Sequence, residues 1–297
     1  MNWHFRTIGM GFINYRASAS RLAAEVDDTG LFSTSVAWDE NDLRRMSPQF
    51  WNDHQDVLKA RTPGFGWWVW KPYFLMHSLL SIPEGEGLLY LDAGCIINSD
   101  VDSVKTISDF MKLTEAQKVS GSNSDYFSED LYTCNDLLDY MQISSSQRTT
   151  SQFCAAILFV VNDYEGREFI EEWCKMVCMD DHRWLLPNRF ETENPPNFIH
   201  HMYDQATLSC LLKSKSKISV HTGNKTTPGA IRLARHRFAY SIDEKSFPKI
   251  TYYKFLQKLS RISLAVQHRV YRSSLTIRPQ SHKLNIPKKI KSDDVQF

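Results

Sequence analysis

Leu88-Leu89-Tyr90-Leu91-Asp92-Ala93-Gly94-Cys95-Ile96-Ile97 is the stretch whose reading decides the fold class. Leu88 to Leu91 is a short, unbroken apolar run behind the turn-forming Pro83-Glu84-Gly85-Glu86-Gly87, the pattern of a strand buried on both faces of a mostly parallel sheet. Such a strand is central. Asp92 stands at its carboxyl end, followed by two small residues that admit a close backbone or ligand, and open α/β sheets bind ligands just outside those ends. Asp92 is therefore either a site carboxylate or the cap of the following loop.

Upstream, Gly64-Phe65-Gly66-Trp67-Trp68-Val69-Trp70-Lys71-Pro72-Tyr73 puts three tryptophans within four residues, either packed in the core or exposed as a platform for a sugar or base. Pro72 is placed like the first residue of a helix, and Tyr73, Met76, Leu79 and Leu80 then recur at helical spacing, so a helix packs on the sheet and ends before Pro83. Lys71 sits at its N-terminus. A cation there is locally unfavourable, and an anion such as a diphosphate beside it would account for both the lysine and the helix end.

Outward from this centre, Phe5 to Ile13 reads as a first strand, Ala17 to Val26 as a helix with Leu22, Ala23 and Val26 on one face, and Leu31 to Trp38 as a second strand. That unit is right-handed with a parallel pair, so the loop around Asn14, Tyr15, Arg16 and Ser18 lies at the same sheet edge as Asp92. Asp39 to Arg61 is polar and helical in pattern, burying Phe50 and Trp51. Between Val101 and Gln147 the signal is mixed: Ser120 to Ser124 reads as a loop and Asp130 to Met141 as a helix. Phe153 to Val161 is another buried strand, and Glu165 to Met179 an amphipathic helix with Phe169, Ile170, Trp173, Met176 and Val177 inward. Trp184 to Asn197 is a loop rich in Pro and Asn, and Asp204-Gln205 opens a helix over Ala206 to Leu212, where Asp204 is a capping or a site residue.

The 297 residues are 42% hydrophobic with a mean hydropathy of −0.39 and a net charge of +1, a soluble globular composition in which core size is not limiting. No apolar run is long enough to span a membrane and no leader pattern opens the chain, so a cytoplasmic protein is expected. Its six cysteines are then thiols. Cys174 and Cys178 share a helix face and could supply half a metal site, but no partnered pair follows at finger-like spacing.

The Gly64 to Tyr73 string and Leu89-Tyr90-Leu91-Asp92-Ala93-Gly94-Cys95 resemble the signature of a family of bacterial capsular-polysaccharide and lipopolysaccharide glycosyltransferases. That family is in turn similar to nucleotide-sugar transferases of the GT-A fold. Ser151-Gln152-Phe153-Cys154-Ala155-Ala156-Ile157-Leu158-Phe159 and the segment His201 to Lys213 resemble two further stretches in the same order, so the resemblance covers about residues 61 to 213. It departs at Met202 and Tyr203, and at Gly94, which stands in place of the second carboxylate of the Asp-x-Asp hallmark.

The resemblance implies an α/β, GT-A-like, Rossmann-type sheet flanked by helices over residues 1 to 240. It implies a nucleotide-sugar donor, a UDP-sugar first among them, and a glycan or lipid-linked acceptor. Tyr15, Arg16, Lys71, Tyr73, Gln152 and Lys225 would hold the donor, while Asp92, Asp204 and Gln205 would be catalytic. A divalent cation, Mn or Mg, would rest on Asp92 and on His221, whose surroundings His221-Thr222-Gly223-Asn224-Lys225 loosely resemble a metal- and diphosphate-binding stretch of related enzymes. Gly94 removes one expected ligand. It also keeps open a catalytically silent glycan-binding or scaffold protein on the same fold.

Residues 241 to 297 change character: from Lys245 through Lys291 there are twelve lysines and arginines and no acidic residue. Tyr252 to Tyr271 interleaves these with Phe255, Leu256, Leu259, Ile262, Leu264 and Val266, the pattern of a basic amphipathic helix. It either packs on the catalytic domain or lies on an anionic membrane surface, giving peripheral attachment at the inner face of the cell membrane. Nucleic acid is a third partner, disfavoured because no recognised motif accompanies the charge.

Overall fold

In the computed structural model, described over residues 1–59, 62–186, 191–215 and 230–234, the Leu88 to Leu91 run is strand β3 (Gly87–Leu91), the middle strand of a sheet of five. The chain begins β1 (Trp3–Gly9), α1 (Ile13–Asp27), β2 (Thr34–Asp39), α2 (Glu40–Met46), α3 (Pro48–Asp53), α4 (Gly64–Trp67) and α5 (Trp70–Leu80). After β3 come β4 (Ile96–Ile97), α6 (Val101–Gln117), β5 (Val119–Ser128), α7 (Glu129–Tyr132), α8 (Asn135–Tyr140) and α9 (Ser145–Arg148). The described chain closes with β6 (Ser151–Val161), α10 (Tyr164–His182), α11 (Tyr203–Ser214) and β7 (Ile231–Arg232).

The sheet order is β2-β1-β3-β6-β5, with β2, β1 and β3 mutually parallel and β6 antiparallel to both of its neighbours. This is a largely parallel α/β sheet with helices on both faces. Side chains of β3 alternate between two cores. Leu88 and Tyr90 join the core with α5, α10 and α11, built around Phe74, Trp173 and Leu208, while Leu89 and Leu91 join the one with α1 and α6, built around Leu22, Val26 and Phe110. Burial on both faces is why this strand reads as continuously apolar rather than alternating.

Four departures from the sequence reading have local causes. β1 stops at Gly9 because the first turn of α1 returns against it: a Cβ on Gly9 would lie 2.5 Å from Tyr15 O and the Arg16 backbone. Ile13 consequently opens α1, 83% exposed, instead of closing the strand. Ser120 to Ser124 is strand rather than loop, since it pairs with β6 through a register shift where buried serines fit a tight bulged edge. The helix expected over Asp130 to Met141 is broken into α7 and α8, with Thr133 and Cys134 extended between them. Leu80, placed inward by spacing, is 56% exposed at the end of α5.

The fragment β4 pairs antiparallel with β7, and Asn98 N–H donates to Ala230 O at 2.9 Å, which ties residues 230–234 to the loop after β3. Among the described residues no helix is long and apolar enough to cross a membrane. His221, Lys225, His236 and the basic stretch over Tyr252 to Tyr271 lie outside the described residues, as does the whole of 241–297.

Candidate active site

Asp92 directly follows β3, and its backbone N–H still donates to Ala156 O on β6 at 2.9 Å, so the ladder fixes the residue up to its own amide. Beyond it the chain turns, with Cys95 N–H donating to Asp92 O at 2.9 Å. Arg21, buried on α1, clamps this turn by donating to Ala93 O at 3.1 Å and Cys95 O at 2.8 Å, while its other nitrogen meets Glu25 at 2.6 Å. The carboxylate is held at one end. Its Oδ1 accepts from Tyr90 Oη at 2.5 Å and lies 3.2 Å from Lys71 Nζ, and the side chain is 34% exposed. Burial, then the neighbouring Asp92, keep the Tyr90 phenol far above its ordinary pKa, so it is a permanent donor here.

Lys71 is the hub. Its side chain is 2% exposed, and Nζ has three acceptors around it: Asp204 Oδ2 at 2.6 Å, Asp92 Oδ1 at 3.2 Å and Ala155 O at 3.2 Å. Ala155 O accepts a hydrogen bond from the ammonium group, and the two carboxylates pair with it as ions. Burial alone would lower its pKa, yet Asp204 and Asp92 outweigh burial and the net shift is upward, so the ammonium stays charged. The sequence suggested a diphosphate as the anion explaining a lysine at this helix start. In the fold two carboxylates supply that charge, and Lys71 acts as the spacer between them rather than as an exposed donor to phosphate.

Asp204 lies in the first turn of α11, where the helix end favours a carboxylate, and it is buried. Burial pushes its pKa up to about 6, with Lys71 opposing and Asp92 adding to the rise, so at neutral pH it is ionised. Next to it, Gln205 Nε2 donates to Gln152 Oε1 at 2.7 Å, and Gln152 Nε2 donates in turn to Thr133 Oγ1 at 2.8 Å and Tyr132 O at 3.1 Å. This amide chain fixes the start of α11 against β6. The far end of α11 is fixed by Lys213, whose Nζ donates to the fully buried Glu129 at 2.8 Å and to Ser151 O at 2.9 Å.

The parallel register Gly9↔Asp39, with Arg6↔Tyr90 on the other side, places the loop after β1, the end of β2 and Asp92 along one sheet edge. Tyr15 and Arg16 fall within α1 rather than in a loop. Arg16 pairs with Glu40, and its other nitrogen is 3.7 Å from Asp39, while Glu40 also accepts from Gly11 N–H at 2.7 Å. Tyr73 is not part of this centre. It stands two residues from Lys71, hence on another face of α5, stacked on Phe50 with ring centroids 4.0 Å apart.

The aromatic loop divides its roles. Trp70 is buried and donates to Gly64 O at 2.8 Å, whereas Trp67 and Trp68 are partly buried, with the Trp68 ring 5.7 Å from Tyr203, the residue before Asp204. Phe65, Gly66, Trp67 and Trp68 all have positive φ, at 56°, 100°, 50° and 61°, a left-handed turn that residues bearing a Cβ adopt only when held.

No described protein family matches this sequence, and no curated protein does. Among solved structures, similar chains include the galactosyltransferase LgtC in complex with donor and acceptor sugar analogs, at 12% identity over 81% of this chain and 87% of that one, with a TM-score of 0.45. Others are mouse xyloside xylosyltransferase 1, at 8% identity over 75% and 85% with a TM-score of 0.41, and a glycosyltransferase involved in the glycosylation of the major capsid of PBCV-1, at 12% over 79% and 92% with a TM-score of 0.40.

Two carboxylates around one ammonium leave the centre one negative charge in excess. That excess suits either a cation or positive charge developing on a substrate. Sequence reasoning singled out Asp92, Asp204 and Lys71, which the fold brings together, but passed over Arg21 and Tyr90, which contact Asp92 and its turn. The one signal for Arg21 was a charged residue one place before the inward-facing Leu22.

Proposed function

We propose that this chain is a glycosyltransferase that moves a sugar from a nucleotide diphosphate donor to a glycan or lipid-linked acceptor in surface-polysaccharide synthesis. The observation that carries the reading is the partly exposed Asp92 at the end of the central strand, set with Asp204 around a buried Lys71. In glycosyl transfer the anomeric carbon gains positive charge as the bond to diphosphate lengthens, and a fixed, net-negative centre stabilises that charge without reorganising. Asp92 presents its carboxylate toward solvent and donor. Asp204, ion-paired and immobile, orients the donor sugar through the first turn of α11, and Gln205 is locked beside it.

A divalent cation fits this centre only in part. Asp92 is the one side chain among the described residues placed to hold it, since Gly94 offers no ligand, and a magnesium-type ion bound by one carboxylate, waters and donor phosphates needs no more. When bound, such a cation supplies Lewis-acid stabilisation of the leaving diphosphate. Stabilisation of the full chain in a thermal-shift screen of UDP, GDP, CMP and dTDP sugars, with and without Mn²⁺, tests the reading. A melting temperature that no nucleotide sugar moves would favour the silent glycan-binding alternative.

Asp204→Ala is expected to lower kcat far more than it weakens donor binding, because an interaction made in the transition state shows in kcat. Steady-state kinetics checks it: a variant with raised KM and unchanged kcat would reassign Asp204 to ground-state binding.

The lipid-linked acceptor gives the basic stretch a use. Each Lys or Arg near an anionic surface contributes about 1 kcal/mol, so the full chain is expected to pellet with anionic and not zwitterionic vesicles at low salt. A full-length chain carrying K254E, K258E and R261E is expected to stay in the supernatant. Equal pelleting of both would return the tail to a packed structural role.

A further inference from the structure

A second cluster lies on the face of α5 opposite Lys71. His54, which caps α3, meets Cys178 and His182 at the end of α10, and one ligand atom from each falls within 4.8 Å of the others. His54 Nε2 is 3.5 Å from Cys178 Sγ, and the His54 and His182 rings are 4.8 Å apart between centroids. We propose that His54, Cys178 and His182 bind a zinc ion that staples the end of α3 to α10.

The donor set is right for that metal. Two imidazoles and a thiolate match the borderline softness of Zn²⁺, and three protein ligands leave a fourth tetrahedral position for water. The surroundings orient the ligands as metal sites require. His182 Nδ1 lies 2.9 Å from Val177 O, a carbonyl that can only accept, so this contact puts a proton on Nδ1 and fixes the ring's orientation at the end of α10. Tyr73 Oη is 3.5 Å from Cys178 Sγ, and against a thiolate the phenol can only donate, which supports the sulfur's charge.

The backbone carries an independent sign. Asp180, Asp181 and His182 have φ of 46°, 55° and 65°, three consecutive side-chain-bearing residues in the left-handed region. Such a turn persists where its surroundings over-determine it, and an ion bridging Cys178 and His182 spans it. The staple also has a structural use. It pins the chain just upstream of the Gly64–Trp68 turn, whose Trp68 packs beside the start of α11.

Cobalt(II) substitution tests the site without reference to activity. The purified full chain, stripped with a chelator and titrated with Co²⁺, is expected to bind one equivalent with a thiolate-to-cobalt charge-transfer band and the intense visible bands of four-coordinate cobalt. Zn²⁺ is expected to displace it. Cys178→Ala abolishes the charge-transfer band, His54→Gln and His182→Gln each weaken Zn²⁺ binding by at least ~10-fold, and Asp92→Asn leaves the band unchanged. A wild-type chain with no such band, or a Cys178→Ala chain that keeps it, overturns the proposal. If Cys178→Ala does not fold, His54→Gln decides instead, since undiminished Zn²⁺ affinity in that variant overturns the site equally.

Discussion

Lys71→Met should destabilise the fold by about 3–5 kcal/mol at neutral pH, one of the two largest effects expected of any single substitution in this chain. Methionine keeps the length and apolar stem of the lysine, so packing is nearly preserved and the loss is electrostatic. What remains is Asp204, buried, beside Asp92 with no cation between them. Such a pair relieves itself by taking up a proton. Asp204 already sits high, at about 6, and loses the one neighbour holding it down, so its folded-state pKa rises further above the unfolded value of roughly 3.9.

The sign then follows. Between those two pKa values the folded variant binds a proton that the unfolded chain releases, so stability falls as pH rises through that window and levels off above it. Urea unfolding at pH 5 and pH 8 should therefore show the larger deficit at pH 8. Lys71→Met combined with Asp204→Leu should recover much of the loss, because removing both members of a buried pair costs less than removing one. A single variant as stable as the parent at pH 8 would mean that the carboxylates do not depend on Lys71.

How much of this was legible in the sequence depends on range. The central strand was, because both of its faces meet a core and the apolar run is unbroken from Leu88 to Leu91. So was α10, whose inward face repeats at helical spacing, whereas α11 is buried at every position from Asp204 to Leu212 and showed only its acidic start. β5 was not, since an edge strand of buried serines carries the composition of a loop. Asp92, Asp204 and Lys71 each stood out locally, but nothing in the spacing of 71, 92 and 204 says that they meet at one nitrogen. Lys71 was accordingly assigned an outside anion when the anions come from the chain. Tyr73 was placed with the donor by the resemblance, although two residues along a helix from Lys71 turn a side chain well away. Cys178 looked partnerless because its neighbours come from 124 positions upstream and from a left-handed turn that no propensity predicts.

Asp92→Asn is the second large expectation, and its effect should fall on chemistry alone. The substitution keeps an oxygen to accept from Tyr90 and Lys71, so the turn clamped by Arg21 has no reason to move. It removes one of two negative charges, leaving Lys71 and Asp204 as a balanced pair, and the position is a third exposed, where substitutions are usually worth little in stability. The melting temperature is expected to stay within a few degrees. Turnover is expected to drop by roughly 10²–10³-fold or more, the scale of removing one preorganised charge or donor from the reacting centre. If Asp92 also holds a cation, the variant should lose the Mn²⁺-dependent part of any nucleotide-sugar thermal shift and keep the metal-independent part. Paired measurements of melting temperature and turnover separate these terms: an active, equally stable Asn variant would leave Asp92 as the cap of its loop and move the search for the reacting centre elsewhere.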